Sequence, residues 1–250
     1  MYPIHREQGE NMEYKKSKIK ILIIAIPIVA LAILLGIYGF TVVPIQQVEE
    51  LRISEKFDPK AFVDGIWESK LIPTIKEKAV DLSVVLGKMK SNDSGFTSID
   101  SLIPITNNYG LITVGEAHVY IVKGQGKVVD VNTKTSIGTL ELLLDGYTGP
   151  IKIKFYIGPR IPSDESSVRD AVGFINFGDF REQTEYGKVG LEINKRSMLQ
   201  VDLPPDKDTL QGKTISFYGV FTIRTFNLTK IDMEEIKIVP IQIDIVKVTQ

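Results

Sequence analysis

The sequence predicts a mainly β protein with added helices (α+β): an N-terminal transmembrane helix, a helical hairpin, then a five-stranded antiparallel barrel of the OB type. Three observations lead there. Residues 19–43 read IKILIIAIPIVALAILLGIYGFTVV, with Lys20 the only charge. Apolar residues then recur at helical spacing from Phe57 to Met89. From Leu111 the period becomes two, and three strands, helical material and two further strands follow, the order of a Greek-key OB barrel.

Ile21 to Val43 carries no charge and is long enough to cross ~30 Å of hydrocarbon at ~1.5 Å per residue. Pro27 and Gly36 are tolerated in a membrane span. Lys15, Lys16, Lys18 and Lys20 precede the stretch, whereas Gln46, Gln47, Glu49 and Glu50 follow it. The positive-inside rule therefore puts residues 1–18 in the cytoplasm and the bulk of the chain outside. A cleaved signal would have a shorter apolar core and a small-residue cleavage site, where this chain has Phe40-Thr41-Val42-Val43. The expected organisation is a cytoplasmic tail (1–18), an anchor in the lipid bilayer (19–43), a stalk and helical segment (44–110), and an extracytoplasmic barrel domain (111–250) with a helical insert at 159–212.

Thirty basic and 31 acidic residues leave a formal net charge of −1, without the basic excess that nucleic acid binding needs. The absence of cysteine excludes disulfides, thiolate metal sites and an acylated cysteine.

Phe57-Asp58-Pro59 marks a helix start. Asp58 caps free N–H groups, Pro59 suits the first helical position, and Phe57 staples onto Phe62. Val63, Trp67 and Leu71 make one apolar face, and Trp67 is expected to pack the helix onto the domain. Pro73 breaks or kinks it. A second run through Ile75, Ala79, Leu82, Leu86 and Met89 stops at the polar cluster 91–95.

In the first long strand Ala117, Val119 and Ile121 share one parity, and Gly124-Gln125-Gly126 signals a bulge or sharp bend. Leu140, Leu142 and Leu144 form the second, and Ile151, Ile153, Phe155 and Ile157 the third. The insert holds a short helix over 163–172, an aromatic cluster of Phe174, Phe177 and Phe180, and a helix over 182–198. Ile215, Phe217, Phe221 and Ile223 keep one parity in the fourth strand. In the fifth, Ile236 and Ile238 oppose the parity of Ile241 and Ile243, so Pro240 implies a bulge or an edge. The core is expected to contain Ile151, Ile153, Phe155, Phe217, Phe221 and Ile243. An antiparallel sandwich with helices at one edge is the competing arrangement.

Chemistry is less legible. Gly124-Gln125-Gly126-Lys127 fits neither phosphate-binding spacing. His118 alone supports no zinc site, and no Gly-x-Ser-x-Gly elbow is present. The sequence designates no catalytic residue, metal or cofactor. Two stretches have the composition of a binding surface. Asn176, Asp179, Phe180, Glu185 and Tyr186 mix rings with polar groups, as a partner interface or small polar-ligand site does. Lys152, Lys154 and Tyr156 resemble the basic-aromatic face on which OB barrels hold oligomers.

FDPKAFVDGIWESK from Phe57, GQGKVVDVNTKTSIGTL from Gly124, FINFGDFREQTEYGKV from Phe174 and GKTISFYGVF from Gly212 together resemble an uncharacterised prokaryotic family of predicted periplasmic lipoproteins. The resemblance implies an accessory role in uptake, because members are often encoded beside sugar or nucleoside ABC transporters. It implies no catalytic residue. With no cysteine to acylate, the anchor here is the span itself. Two functions follow: a tethered binding or accessory module working with an ABC transporter or its solute-binding protein, or an extracytoplasmic hydrolase of glycans or phosphoesters using the acids of 179–185.

Overall fold

A computed structural model describes residues 23, 26–31, 33–36, 57–92 and 95–246. The chain divides into two units, residues 1–56 and 57–250. In the first, the described residues are helical and large apolar side chains such as Ile23, Ile28 and Leu35 are exposed. Among the described residues no helix is long and apolar enough to cross a membrane. The rest of the expected anchor 19–43, the tail 1–18 and the stalk 44–56 lie outside the described residues.

The second unit opens with α1 (Pro59–Ile66), started as its sequence dictates. The Asp58 carboxylate accepts from the amides of Lys60 and Ala61 at 2.9 and 3.2 Å, and the Phe57 and Phe62 rings stand 5.9 Å apart. A π-turn (Trp67–Leu71) leads into α2 (Ile72–Lys78). Pro73 lacks the N–H that an α-helical ladder needs, and the widened turn just before it accommodates the loss.

The expected hairpin is not formed. The second apolar run breaks at Ala79 into β1 (Val80–Asp81), which pairs parallel with Val122 and Lys123, and then α3 (Leu82–Lys88). Asp81 restarts the helix by accepting from the Ser83 amide at 2.8 Å. The break serves packing, because Ile75 belongs to one core while Leu82, Leu86 and Met89 belong to another. β2 (Phe96–Thr97) and α4 (Ile99–Tyr109) follow, the helix started by Ser98, whose side chain accepts from the Ser101 amide.

β3 (Leu111–Ile112) pairs beside the first long strand, β4 (His118–Asn132). Then come β5 (Thr139–Leu144), β6 (Lys152–Tyr156), α5 (Ser167–Ala171), α6 (Gln183–Gln200), β7 (Thr214–Ile223), β8 (Ile231–Asp232) and β9 (Glu235–Ile245). Hydrogen-bonded neighbours run β4–β5–β6–β9–β7 and return to β4. β2 and β8 form a separate two-stranded ribbon. One correction concerns direction: β6 and β9 pair parallel, so the sheet is mixed, not antiparallel. The helical insert and β7 lie between them in the chain, a connection long enough for a parallel return.

β4 serves both neighbours. His118 to Lys127 faces β7 and Gly126 to Asn132 faces β5, so Gly126 and Lys127 are paired on both sides. A Cβ on Gly126 would stand 2.3 Å from the Leu143 carbonyl oxygen, so the strand bends where only glycine fits. The parity slip in β9 is a bulge. Gly219 faces Pro240 and Tyr218 faces Gln242, leaving Ile241 over.

Two apolar layers result. The inner one holds all six expected core residues, Ile151, Ile153, Phe155, Phe217, Phe221 and Ile243, each buried. In the outer one Val63, Trp67 and Leu71 join Val189 and Ile193 of α6 over Val119, Ile121, Val220 and Ile241. Trp67 is fully buried and its indole N–H donates to the Gln200 side chain, so it does fasten helix to domain.

Candidate functional site

A groove of about 840 Å³ lies between the β3–β4 turn, α5, the start of α6 and the loop after β7. That is within the usual range for ligand sites, ~300–1,000 Å³. Its rim is apolar and open to solvent: Leu111, Ile112, Val114, Phe177 and Phe226 line it, and all five are exposed. Large apolar side chains gathered around one recess mark a binding surface more often than scattered ones do.

The floor is polar and tightly organised. Arg169 and Asp170 are adjacent on α5, and Tyr186 stands in the first turn of α6. The Arg169 guanidinium lies 3.6 Å from the centroid of the Tyr186 ring. Its Nε donates to Asp170 Oδ1 at 2.8 Å, its Nη2 lies 2.7 Å from the same oxygen, and its Nη1 donates to the Tyr186 carbonyl at 3.1 Å. The Tyr186 hydroxyl donates to Asp170 Oδ1 at 3.1 Å and the Ser166 hydroxyl to Oδ2 at 2.6 Å. On α6, Gly190 leaves room: a Cβ there would stand 3.3 Å from Arg169 Nη1. Burial, with the Asp170 charge, holds the Tyr186 phenol above its ordinary pKa, so it remains a donor.

Arg224, just after β7, reaches the groove and also lines a second recess of about 460 Å³. Its Nη1 donates to Asp164 Oδ2 at 2.7 Å and its Nη2 to the Asp164 carbonyl at 2.6 Å. That ion pair lowers the pKa of Asp164.

The sequence-designated residues divide between these places. Asn176 and Tyr186 line the groove with Phe177. Asp179 is engaged locally, accepting from the Asn176 amide at 3.0 Å, and Glu185 accepts from the Arg181 amide at 3.0 Å. Phe180 packs on Phe57, Phe62 and Tyr186 with centroids 5.4–5.5 Å away. Lys152 is exposed, and Lys154 is paired with Glu235 at 2.6 Å, which raises its own pKa and lowers that of Glu235. Tyr156 is buried and lines the second recess, its pKa pushed up to about 12 by burial and then by Glu165 and Asp164. Arg169 and Arg224 carry no motif, and only the fold brings them to one recess.

His118 belongs to a different, closed network. Its Nδ1 lies 2.5 Å from Thr106 Oγ1, which is also 2.5 Å from the Tyr120 hydroxyl and donates to the Leu102 carbonyl at 3.0 Å. A threonine hydroxyl has one proton, and the carbonyl only accepts. Tyr120 and His118 must therefore both donate to Thr106, which assigns the Nδ1–H tautomer. Burial lowers the His118 pKa and pushes Tyr120 up to about 12. Among the described residues no group of three or more His, Asp or Glu side chains could hold a metal ion.

A family model described as "Predicted periplasmic lipoprotein (DUF2291)" matches residues 30–244. The chain belongs to that family. As a DUF2291 member it is assigned to the prokaryotic extracytoplasmic space, in a family whose function is unknown. No curated protein matches it. The 1.90 Å crystal structure of an OB-fold protein from Thermotoga maritima is similar, with a TM-score of 0.54 and 18% identity over 77% of this chain and 100% of that one. At that identity the likeness establishes the OB fold and nothing of function.

Proposed function

We propose that this DUF2291 protein is a membrane-tethered extracytoplasmic binding module with an accessory role in uptake, and that the groove over Arg169, Asp170 and Tyr186 is its working site. The carrying observation is the union of an exposed apolar rim with a floor whose donors are held by ion pairing and stacking. Such a recess offers contact area and orientation at little ordering cost. The closed cycle of five strands is read as an OB-type barrel carrying this site on its helical flank. The tether is the uncharged stretch 21–43, whose described helical residues expose their apolar side chains. The partner that the family resemblance suggests is an ABC-type sugar or nucleoside uptake system, or its solute-binding protein. Binding is preferred to hydrolysis because the carboxylates of Asp179 and Glu185 are engaged by neighbouring amides.

Two measurements test this. External protease on spheroplasts should remove residues 57–250 and spare an N-terminal tag; digestion of the tag refutes the topology. Val114→Asp, Phe177→Asp and Phe226→Asp alter exposed side chains, so the protein should fold normally while uptake and partner capture fall. Unchanged uptake and capture in the folded triple variant refute the groove as the site.

A further inference from the structure

We infer that the groove takes an organic monoanion, a carboxylate joined to an apolar body, an assignment that rests on the groove being the working site. The argument is an account of donors and acceptors. Two guanidinium groups, Arg169 and Arg224, and one carboxylate, Asp170, line the recess. Asp170 is mostly engaged: Arg169 and Tyr186 crowd one oxygen and Ser166 meets the other. What it keeps is an acceptor position on Oδ2, fewer than the donors the guanidiniums keep. The guanidiniums are not exhausted. Each carries five N–H donors. Among the described residues Arg169 commits three, on Asp170 and the Tyr186 carbonyl, and Arg224 two, on Asp164. The Thr225 hydroxyl is already given to the Glu116 carbonyl. What the recess chiefly offers is donors on positive groups, so the complementary ligand group is an acceptor carrying negative charge.

The planar fork of arginine suits a carboxylate. Each guanidinium has one carboxylate partner, Arg169 in Asp170 and Arg224 in Asp164, and keeps N–H donors beyond that pair for a ligand carboxylate, while the rings of Phe177 and Phe226 with Leu111, Ile112 and Val114 receive the apolar remainder. Arg169 is itself immobilised between the Tyr186 ring and the backbone of α6 at Gly190, so its donors are oriented before any ligand arrives.

The test uses the full chain in lipid nanodiscs, with empty nanodiscs as the blank, and two probes of equal shape, 3-phenylpropionate and 3-phenylpropionamide. Calorimetric titration should show the acid binding and the amide roughly ten- to hundredfold weaker, the worth of hydrogen bonds to a charged group. Arg224→Gln alters a half-exposed surface ion pair and should narrow the preference for the acid. Phe226→Glu changes an exposed rim residue and should weaken the acid far more than the amide. Equal affinity for acid and amide overturns the assignment of ligand class while leaving the groove a binding site. Binding of neither probe also overturns it, and the role of the groove is then judged by the rim variants in uptake, which use neither probe.

Discussion

Replacing Phe155 by alanine tests the inner layer where it is tightest. The ring is fully buried, stands 4.7 Å from that of Phe217 at an interplanar angle of 74°, and its residue pairs with Leu140 of β5 and Ile238 of β9. Truncation removes buried apolar surface and leaves a cavity that paired strands on both sides cannot collapse into, which costs about 3–5 kcal/mol. Of this, ~0.5–1.5 kcal/mol belongs to the edge-to-face contact itself and should surface as coupling in a double-mutant cycle with Phe217→Ala. For a domain of this size the melting temperature should fall by roughly 6–20 °C. Urea unfolding of the full chain, followed by fluorescence of the buried Trp67, gives the free energy directly. Phe226→Ala, at an exposed ring, should change stability by no more than about 0.5 kcal/mol. A loss below about 1 kcal/mol for Phe155→Ala, or no coupling to Phe217, would refute the strand phase.

Gly126→Ala should destabilise the domain by more than the opposite change in strand propensity would gain, because the new methyl meets the Leu143 backbone; equal or higher urea midpoints would remove the bend from the account. His118 gives a pH dependence. Burial sets its folded pKa below the ordinary 6.5, so the unfolded chain takes up the proton first. Its contribution to stability is therefore complete above about pH 6.5 and lost as pH falls from there toward the folded value. Urea midpoints should drop between pH 7.5 and 5.5 and the drop should shrink in His118→Asn; an undiminished drop in the variant assigns the effect elsewhere.

Much of the architecture is written locally. Asp58, Pro59 and the Phe57–Phe62 staple start a helix through contacts within a few residues, and the structure forms them as the sequence indicates. Alternation in β6 and β7 fixes which side chains enter the core, since a one-residue slip would turn every one of them outward. The glycines of β4 and the parity slip at Pro240 foretell the bend and the bulge for the same reason: each is a local steric fact.

The candidate site was only half legible. Asn176 and Tyr186, marked by their composition, line the groove, whereas Asp179 and Glu185 accept from the neighbouring amides of Asn176 and Arg181, a distinction that chain proximity alone cannot make. Arg169 and Arg224 lie on α5 and after β7, far apart in sequence. The parallel pairing of β6 with β9 and the division of one apolar run between two layers are likewise long-range outcomes. By itself the sequence determined the uncharged N-terminal stretch, the strand phases, the helix start at Asp58-Pro59 and the family. The tertiary structure decided which faces meet, because a groove is made by elements whose periodicities carry no information about one another.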